Sequence, residues 1–458
     1  MWPDLCHHPL AYVRMIRNWS QEDLARLIRQ AAERRGLRNG TDRNRIWKWE
    51  SGRVEEPDAF SQELLAEVLD VPLDVVAALG WPWWLPAYTL DEPLWDFPGR
   101  SVVTWSPAAT VESLESVTGG PMDRRSFLIA SSTAVAAAAA TWAGNVPFAA
   151  ASPTAGRRIG ASTADLFDAR LEGLRRLDDR LGSAEVHQAA RAELRLITST
   201  LKDASYSENT GKRLYAAAAE AGRICGWTAY DSSHHAAAER HYLASLRAAG
   251  HTDDRAVGAT VLAFWAGLRY NRDDPHGALG ILDAVTATAG RRTGSPRVTA
   301  LLHARTARAH AKAGNRYGAH QAVDAAFGAY ACATPADQDV PSMYWITEGE
   351  LHQVAASAAL DLGEHRRALE HFQAAGDADD PYDTEKEPRG TAIYLTRRAE
   401  THLALGEIDA AVDLAQQAVD RMGGTASARG SSTITALRGK LAAHRAIPDV
   451  RDFLAATA

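Results

Sequence analysis

Ten small residues at a fixed interval constrain this chain more than any other feature. Gly226, Ala266, Ala307, Ala356 and Ala399 are each followed twelve residues later by Ala238, Ala278, Ala319, Ala368 and Ala411. A polar turn lies between the members of each pair, as in GEHRRALEHFQAA from residue 363 and GEIDAAVDLAQQA from residue 406. Two antiparallel helices joined by a tight turn approach closely only where both lack bulk. Each Gly or Ala pair therefore marks a helix crossing. Four positions past the second member stand Tyr242, Leu282, Val323, Phe372 and Ala415, most of them large enough to knob into the next pair. The unit recurs every 40 to 49 residues. From about residue 163 onward Leu, Ala and Arg return at helical spacing, so the chain is expected to be all-α there.

These units resemble tetratricopeptide (TPR) repeats, although their period exceeds the usual value of about 34 residues. The resemblance implies a TPR-like α-solenoid over 163–458, with a concave groove lined by the first helix of each pair. Placed on the motif, the groove-facing residues are Glu220, Arg223, Trp227, Tyr230, Tyr270, Asn271, Arg308, Lys312, Glu350, Gln353 and Glu400. This mixture of aromatic, basic, amide and acidic groups suits a peptide, a protein tail or a small effector.

The amino-terminal part reads differently. Short amphipathic helices are expected near 9–17, 20–35, 42–51, 59–69 and 72–79, with Ser20-Gln21-Glu22-Asp23 as a capped helix start. The stretch TDRNRIWKWESGR, residues 41–53, puts Ile46 and Trp49 on one face. Arg43, Asn44, Trp47 and Lys48 point elsewhere. Thr41 or Asp42 is placed to cap this helix, and Gly52 to end it. An apolar back with a basic, amide-bearing front is what a helix reading the major groove needs.

Ser20-Gln21-Glu22-Asp23-Leu24-Ala25, followed by Ile46-Trp47-Lys48-Trp49-Glu50-Ser51-Gly52, resembles the lambda-repressor-like (XRE) helix-turn-helix over about 70 residues, the family pattern being Ser-Gln-x-x-Leu-Ala and then Ile-x-x-apolar-Glu-x-Gly. The resemblance implies that Arg43, Asn44 and Lys48 face base edges. It implies that Gln21 meets a backbone phosphate, with Arg53 also in reach of phosphate. It implies a structural ion pair between Arg14 and Glu50. Ser20 and Ile46 are 26 residues apart, farther than in the family. The extra residues around 30–40 are expected to lengthen the second helix and its loop, and Arg34, Arg35 and Arg38 in them to add phosphate contacts.

Charge agrees with a division of labour. The chain totals −7, yet from Arg14 to Arg53 eleven Lys or Arg face five acids, which leaves +6 there and −13 elsewhere. A basic head on an acidic body points to phosphate contact by the head alone. Cys6, Cys225 and Cys332 are isolated, which argues against a disulfide framework or a zinc site and for a reducing, cytoplasmic setting. MWPDLCHHPL lacks the apolar run of a signal peptide. Between head and repeats, residues 81–162 combine a Trp- and Pro-rich stretch with a second odd piece. Trp81, Trp83, Trp84, Trp95 and Trp105 are expected to form an irregular aromatic clasp. Arg124-Arg125-Ser126-Phe127-Leu128 and the Ala-rich run after it look like a twin-arginine signal. Their internal place and weak apolarity favour a linker or helix over a membrane segment.

The expected layout is thus a head at 1–80, a clasp and linker at 81–162, and repeats at 163–458. In this order the parts resemble regulators of high-GC filamentous bacteria, which join a helix-turn-helix to a TPR sensor. The resemblance implies a transcriptional regulator that binds double-stranded DNA as a homodimer and an effector in its groove. The alternative is a TPR scaffold that sequesters a protein partner, with the head used for protein contact. No catalytic constellation, cofactor motif or metal spacing emerges, so an enzyme is not expected.

Overall fold

The computed structural model describes residues 9–85 (apart from 17–18, 52, 55, 70, 72, 74–75, 77–80 and 83), 105–118, 132–144, 156–289, 293–335, 338–379 and 387–457. The protein is all-helical. Its contacts divide into two units: residues 1–103 with 121–134, and residues 104–120 with 135–458.

The first unit contains α1 (Pro9–Ile16), α2 (Gln21–Arg34), α3 (Arg43–Glu50) and α4 (Ala59–Leu69). Ser20 and Asp23 cap α2 reciprocally, each side chain taking the other's backbone N–H. This satisfies donors that a helix start leaves without partners. Asp42, rather than Thr41, caps α3 by accepting from the Arg45 N–H at 2.8 Å. Leu24, Ile28, Ile46, Trp49, Leu64 and Leu65 meet in one buried core. Trp81 and Trp84 join that core, and Trp81 packs edge-on to Trp49 with centroids 6.3 Å apart. Two of the five tryptophans of the expected aromatic clasp are therefore core of the head. α2 ends at Arg34, and the insertion enters the loop 35–42. Gly52, Trp83, Trp95, Arg124, Arg125 and most of the helix expected at 72–79 lie outside the described residues.

The second unit opens with α5 (Pro107–Thr118), which begins inside the stretch expected to be irregular. It also takes residues 135–144 of α6 (Ser132–Gly144). Trp142 of α6 is fully buried and lies so close to Gly258 that a Cβ there would come 2.2 Å from its ring. Trp105 is packed in the same way against Gly250. These segments, read from sequence as aromatic clasp and as linker or helix, are packed parts of this unit, and Ser132–Gly144 is a helix. Among the described residues no helix is long and apolar enough to cross a membrane.

Two long helices, α7 (Ala161–Leu181) and α8 (Ser183–Asp203), precede five hairpins. The hairpins are α9 (Glu208–Asp231) with α10 (His235–Ala249), α11 (Arg255–Tyr270) with α12 (Pro275–Ala289), and α13 (Pro296–Lys312) with α14 (Arg316–Tyr330). They continue with α15 (Glu348–Asp361) and α16 (His365–Asp377), then α17 (Pro388–Ala404) and α18 (Ile408–Met422). α19 (Ala428–Leu441) and α20 (Pro448–Ala456) close the chain. Each hairpin carries one Gly or Ala pair of the sequence repeat. The nine alanines are at most 1% exposed, and a Cβ on Gly226 would fall 2.5 Å from the Tyr242 ring. The small residues are thus what lets the two helices of a hairpin approach.

The five turns share a further feature. Five residues before each second-helix Ala stands a residue with left-handed φ: Ser233 (64°), Asp273 (59°), Gly314 (73°), Gly363 (73°) and Gly406 (80°). Only glycine adopts this conformation freely, and other L-residues are less stable there by roughly 1–2 kcal/mol. Ser233 is exposed at the edge of the space that the hairpins border, so its side chain contributes little to packing. Ser233→Gly is expected to stabilise the second unit by about 1 kcal/mol, read by urea denaturation. A loss of stability would show that the Ser233 side chain is needed in the turn.

The chain then returns on itself. α7 packs against Pro341–Met343 and α17, and α9 touches α19. At Gly182 a Cβ would come 2.8 Å from the Ala426 carbonyl oxygen, to which the Ala184 N–H is bonded at 3.4 Å. The hairpins therefore enclose a space.

Candidate functional site

The two units present one candidate surface each. On the first, burial of Ile46 and Trp49 fixes the rotation of α3 and leaves Arg43, Asn44, Trp47 and Lys48 exposed together. Arg53 stacks on Trp47, its guanidinium carbon 4.7 Å from the ring centre. Glu50 lies under this face. Its carboxylate accepts from Arg14 Nε at 2.7 Å and Nη2 at 3.2 Å, and from the Gln21 amide at 2.6 Å. Arg14 also holds the Trp19 carbonyl at 2.9 Å. Gln21, read from sequence as a phosphate ligand, is thus engaged inside the head, and tying it to Glu50 fixes α2 against α3. Arg34 and Arg35 share Glu67, and Arg35 also reaches Glu63. Such exposed pairs stabilise little. Arg38 is exposed in the loop.

The second unit encloses a cavity of about 700 Å³. Of the groove residues expected from the repeat, Arg223, Trp227, Tyr230, Tyr270, Asn271, Arg308 and Glu350 line it. Lys312 and Gln353 do not: Lys312 sits at 3.6 Å from Asp361. Glu220 lies behind the wall, bonded to Arg175 and Arg223, and Glu400 pairs with Lys440. Arg308 and Lys312 lie one turn apart on the same helix face and both meet Asp361, so the lining stops within that turn.

Sequence reading missed Phe264, Arg305 and Tyr394 on the repeat helices themselves, and it missed a further part of the lining that comes from outside the repeat frame. Arg175, Asp178 and Asp179 lie on α7, Tyr344 and Trp345 in the turn after the 3₁₀ segment Pro341–Met343, and Arg429 on α19. Only the return of the chain brings them to the cavity. The centre of that closure is Arg389, 4% exposed, with Asp178 at 3.0 Å, Glu387 at 3.3 Å and Asp231 at 3.6 Å. Arg429 reaches Asp231 at 3.1 Å. Both guanidiniums stack over Trp227, whose Nε1 donates to Asp178 at 2.8 Å. Burial raises the Asp178 pKa, but Arg389 and the hydrogen bonds from Ser183 and Trp227 win, and the group is held below the ordinary carboxylate range.

Glu387 is the third carboxylate on a guanidinium that Asp178 and Asp231 already neutralise. Burial pushes it up to about 7, with Asp179 adding to the rise against the pull of Arg389. Its value when folded exceeds the ordinary 4.5. The stability this proton contributes is complete below the ordinary value and is lost as pH rises through the folded one. Glu387→Gln keeps the group neutral. The variant is expected to gain on wild type in melting temperature as pH is raised from about 5 to about 8. A gap that does not change with pH would mean the carboxylate is ionised throughout.

The family model described as SP15 N-terminal domain matches residues 12–79, which is most of the described head. No curated protein matches the chain.

Proposed function

We propose that this protein is a sequence-specific DNA-binding regulator whose second unit is a TPR-like sensor. The observation that carries the reading is α3: two buried apolar residues hold it, and Arg43, Asn44 and Lys48 stand exposed on the side away from the core. Arg and Lys suit guanine, and Asn suits adenine. In this reading α2 and α3 form a helix-turn-helix. The Glu50 carboxylate, held by Arg14 and Gln21, sets the angle between them, and Arg34, Arg35, Arg38 and Arg53 supply phosphate contacts. Two copies on two half-sites are the usual geometry of such heads. The enclosed cavity receives the effector, and its occupation shifts DNA affinity to the extent that the ligand prefers one state of the protein.

The test is selection of DNA from a random-sequence pool, followed by titration of the selected duplex at several salt concentrations. Arg43→Ala and Lys48→Ala are each expected to cost about 1–3 kcal/mol in affinity and to relax preference at one base position. Arg38→Ala is expected to weaken binding evenly across sequences and to lower the salt slope by about one. If no sequence is enriched, the head does not read DNA. Recovery of a stoichiometric protein partner would then favour the scaffold function.

A further inference from the structure

We propose that the cavity of the second unit binds a small organic anion that carries an aromatic ring. This rests on the reading of that cavity as an effector site and names the ligand class. Enclosure comes first. α7 packs against Pro341–Met343 and α17, so residues from both ends of the second unit border one recess of about 700 Å³. That volume is typical of sites that bury a small molecule.

Charge comes second. Most guanidiniums of the wall are matched: Arg175 and Arg223 by Glu220, Arg308 and Arg397 by Asp361, Arg389 and Arg429 by Asp231. Arg305 and Arg272 differ. Among the described residues no carboxylate lies within 4.0 Å of either. Arg305 is half-buried, its Nη1 donates to the Tyr270 hydroxyl at 3.1 Å, and its buried Nε has no partner. The carboxylate of Glu350, on the same wall, accepts from Tyr394 at 2.7 Å and acts on Arg305 only from beyond 4.0 Å. A partly desolvated cation whose carboxylate stands beyond contact distance gains further from an anion that meets it directly.

The ring comes third. Trp227, Phe264 and Trp345 form a row of edge-on rings in the lining, Phe264 lying 5.6 Å from Trp227 and 5.9 Å from Trp345, with Arg389 and Arg429 over Trp227 and Arg223 over Phe264. Arg305 lies 5.8 Å from the Trp345 ring centre, so its charge stands at the Trp345 end of that row. A planar body beside that end puts its anionic substituent toward Arg305, with Arg272 at the exposed side.

The experiment is calorimetric titration of the full chain with 2-naphthoate, 2-naphthyl phosphate and the neutral 2-naphthamide. At least one of the two anions is expected to bind about tenfold more tightly than the amide, and the better of them distinguishes a carboxylate from a phosphate ligand. Arg305→Met is expected to abolish that preference while leaving amide binding unchanged. Arg272→Gln, on an exposed side chain, is expected to weaken the anions in the same direction without a change in melting temperature. Equal binding of amide and anions, unchanged anion affinity in both variants, or no binding by the folded chain would overturn the proposal. The same ligands are then added to the complex with selected DNA. Anion binding that leaves DNA affinity unchanged would reject the sensor reading and leave the ligand class standing. Unselective binding that does shift DNA affinity would reject the class and leave the sensor.

Discussion

Trp49→Ala is expected to unfold the first unit while leaving the second intact. Trp49 is 1% exposed, lies at the centre of the core formed by α2, α3 and α4, and packs edge-on against Trp81. Truncating such a side chain removes its transfer free energy and leaves a cavity that α3, one short helix, cannot collapse to fill, so the loss is about 3–5 kcal/mol. Small units of this size carry little stability in reserve. Hydrogen exchange in α2 and α3 should accelerate toward the unprotected rate, while exchange in α9 to α18 is unchanged. Trp47→Ala is the control. Trp47 is 41% exposed and touches Arg53 on the outer face, so its loss should cost no more than about 0.5 kcal/mol. If the two variants behave alike, α3 does not present the face assigned to it.

The contrast between these tryptophans was legible in the sequence, and so was the repeat. The Gly and Ala pairs, and Tyr242, Leu282, Val323 and Phe372 after them, occupy the buried crossings that their spacing implies. Local periodicity carries such information because a helix hairpin is decided within about 30 residues. Two other things depend on contacts between distant positions and left no local trace. The Trp- and Pro-rich stretch splits its tryptophans: Trp81 and Trp84 enter the head core, and Trp105 packs at Gly250. Nothing in its composition marks that division. The cavity is closed by residues as far apart as Asp178 and Arg389, 211 positions along the chain. A lone Asp on a charged helix such as α7 reads as a solvated face until its partner is known. Lys312 shares the face and the partner Asp361 of Arg308, and how far along that face the cavity extends is set by the chain's return and not by the repeat.

Asp231→Ala is the variant with the largest expected effect on the second unit. Asp231 is 0% exposed and bridges Arg429 at 3.1 Å and Arg389 at 3.6 Å. Removing one member of a buried ion-pair network leaves the other charges without compensation, which costs about 3–5 kcal/mol. Here two guanidiniums are affected, and Arg389 also holds Asp178 and the Ser183 hydroxyl across the closure. Stacked repeats draw most of their stability from nearest neighbours, so the loss should not spread evenly. Exchange should rise first in α7, α17 and α19, and the hairpins between α11 and α16 should keep their protection. Asp231→Leu combined with Arg429→Leu removes both partners and should recover part of the stability, because an apolar replacement of a buried pair is often neutral. Loss of affinity for the naphthyl anion in Asp231→Ala, with the middle hairpins still protected, would tie the closure to ligand binding. A cost below about 1 kcal/mol would place Asp231 among dispensable surface pairs and leave the enclosure to apolar packing alone.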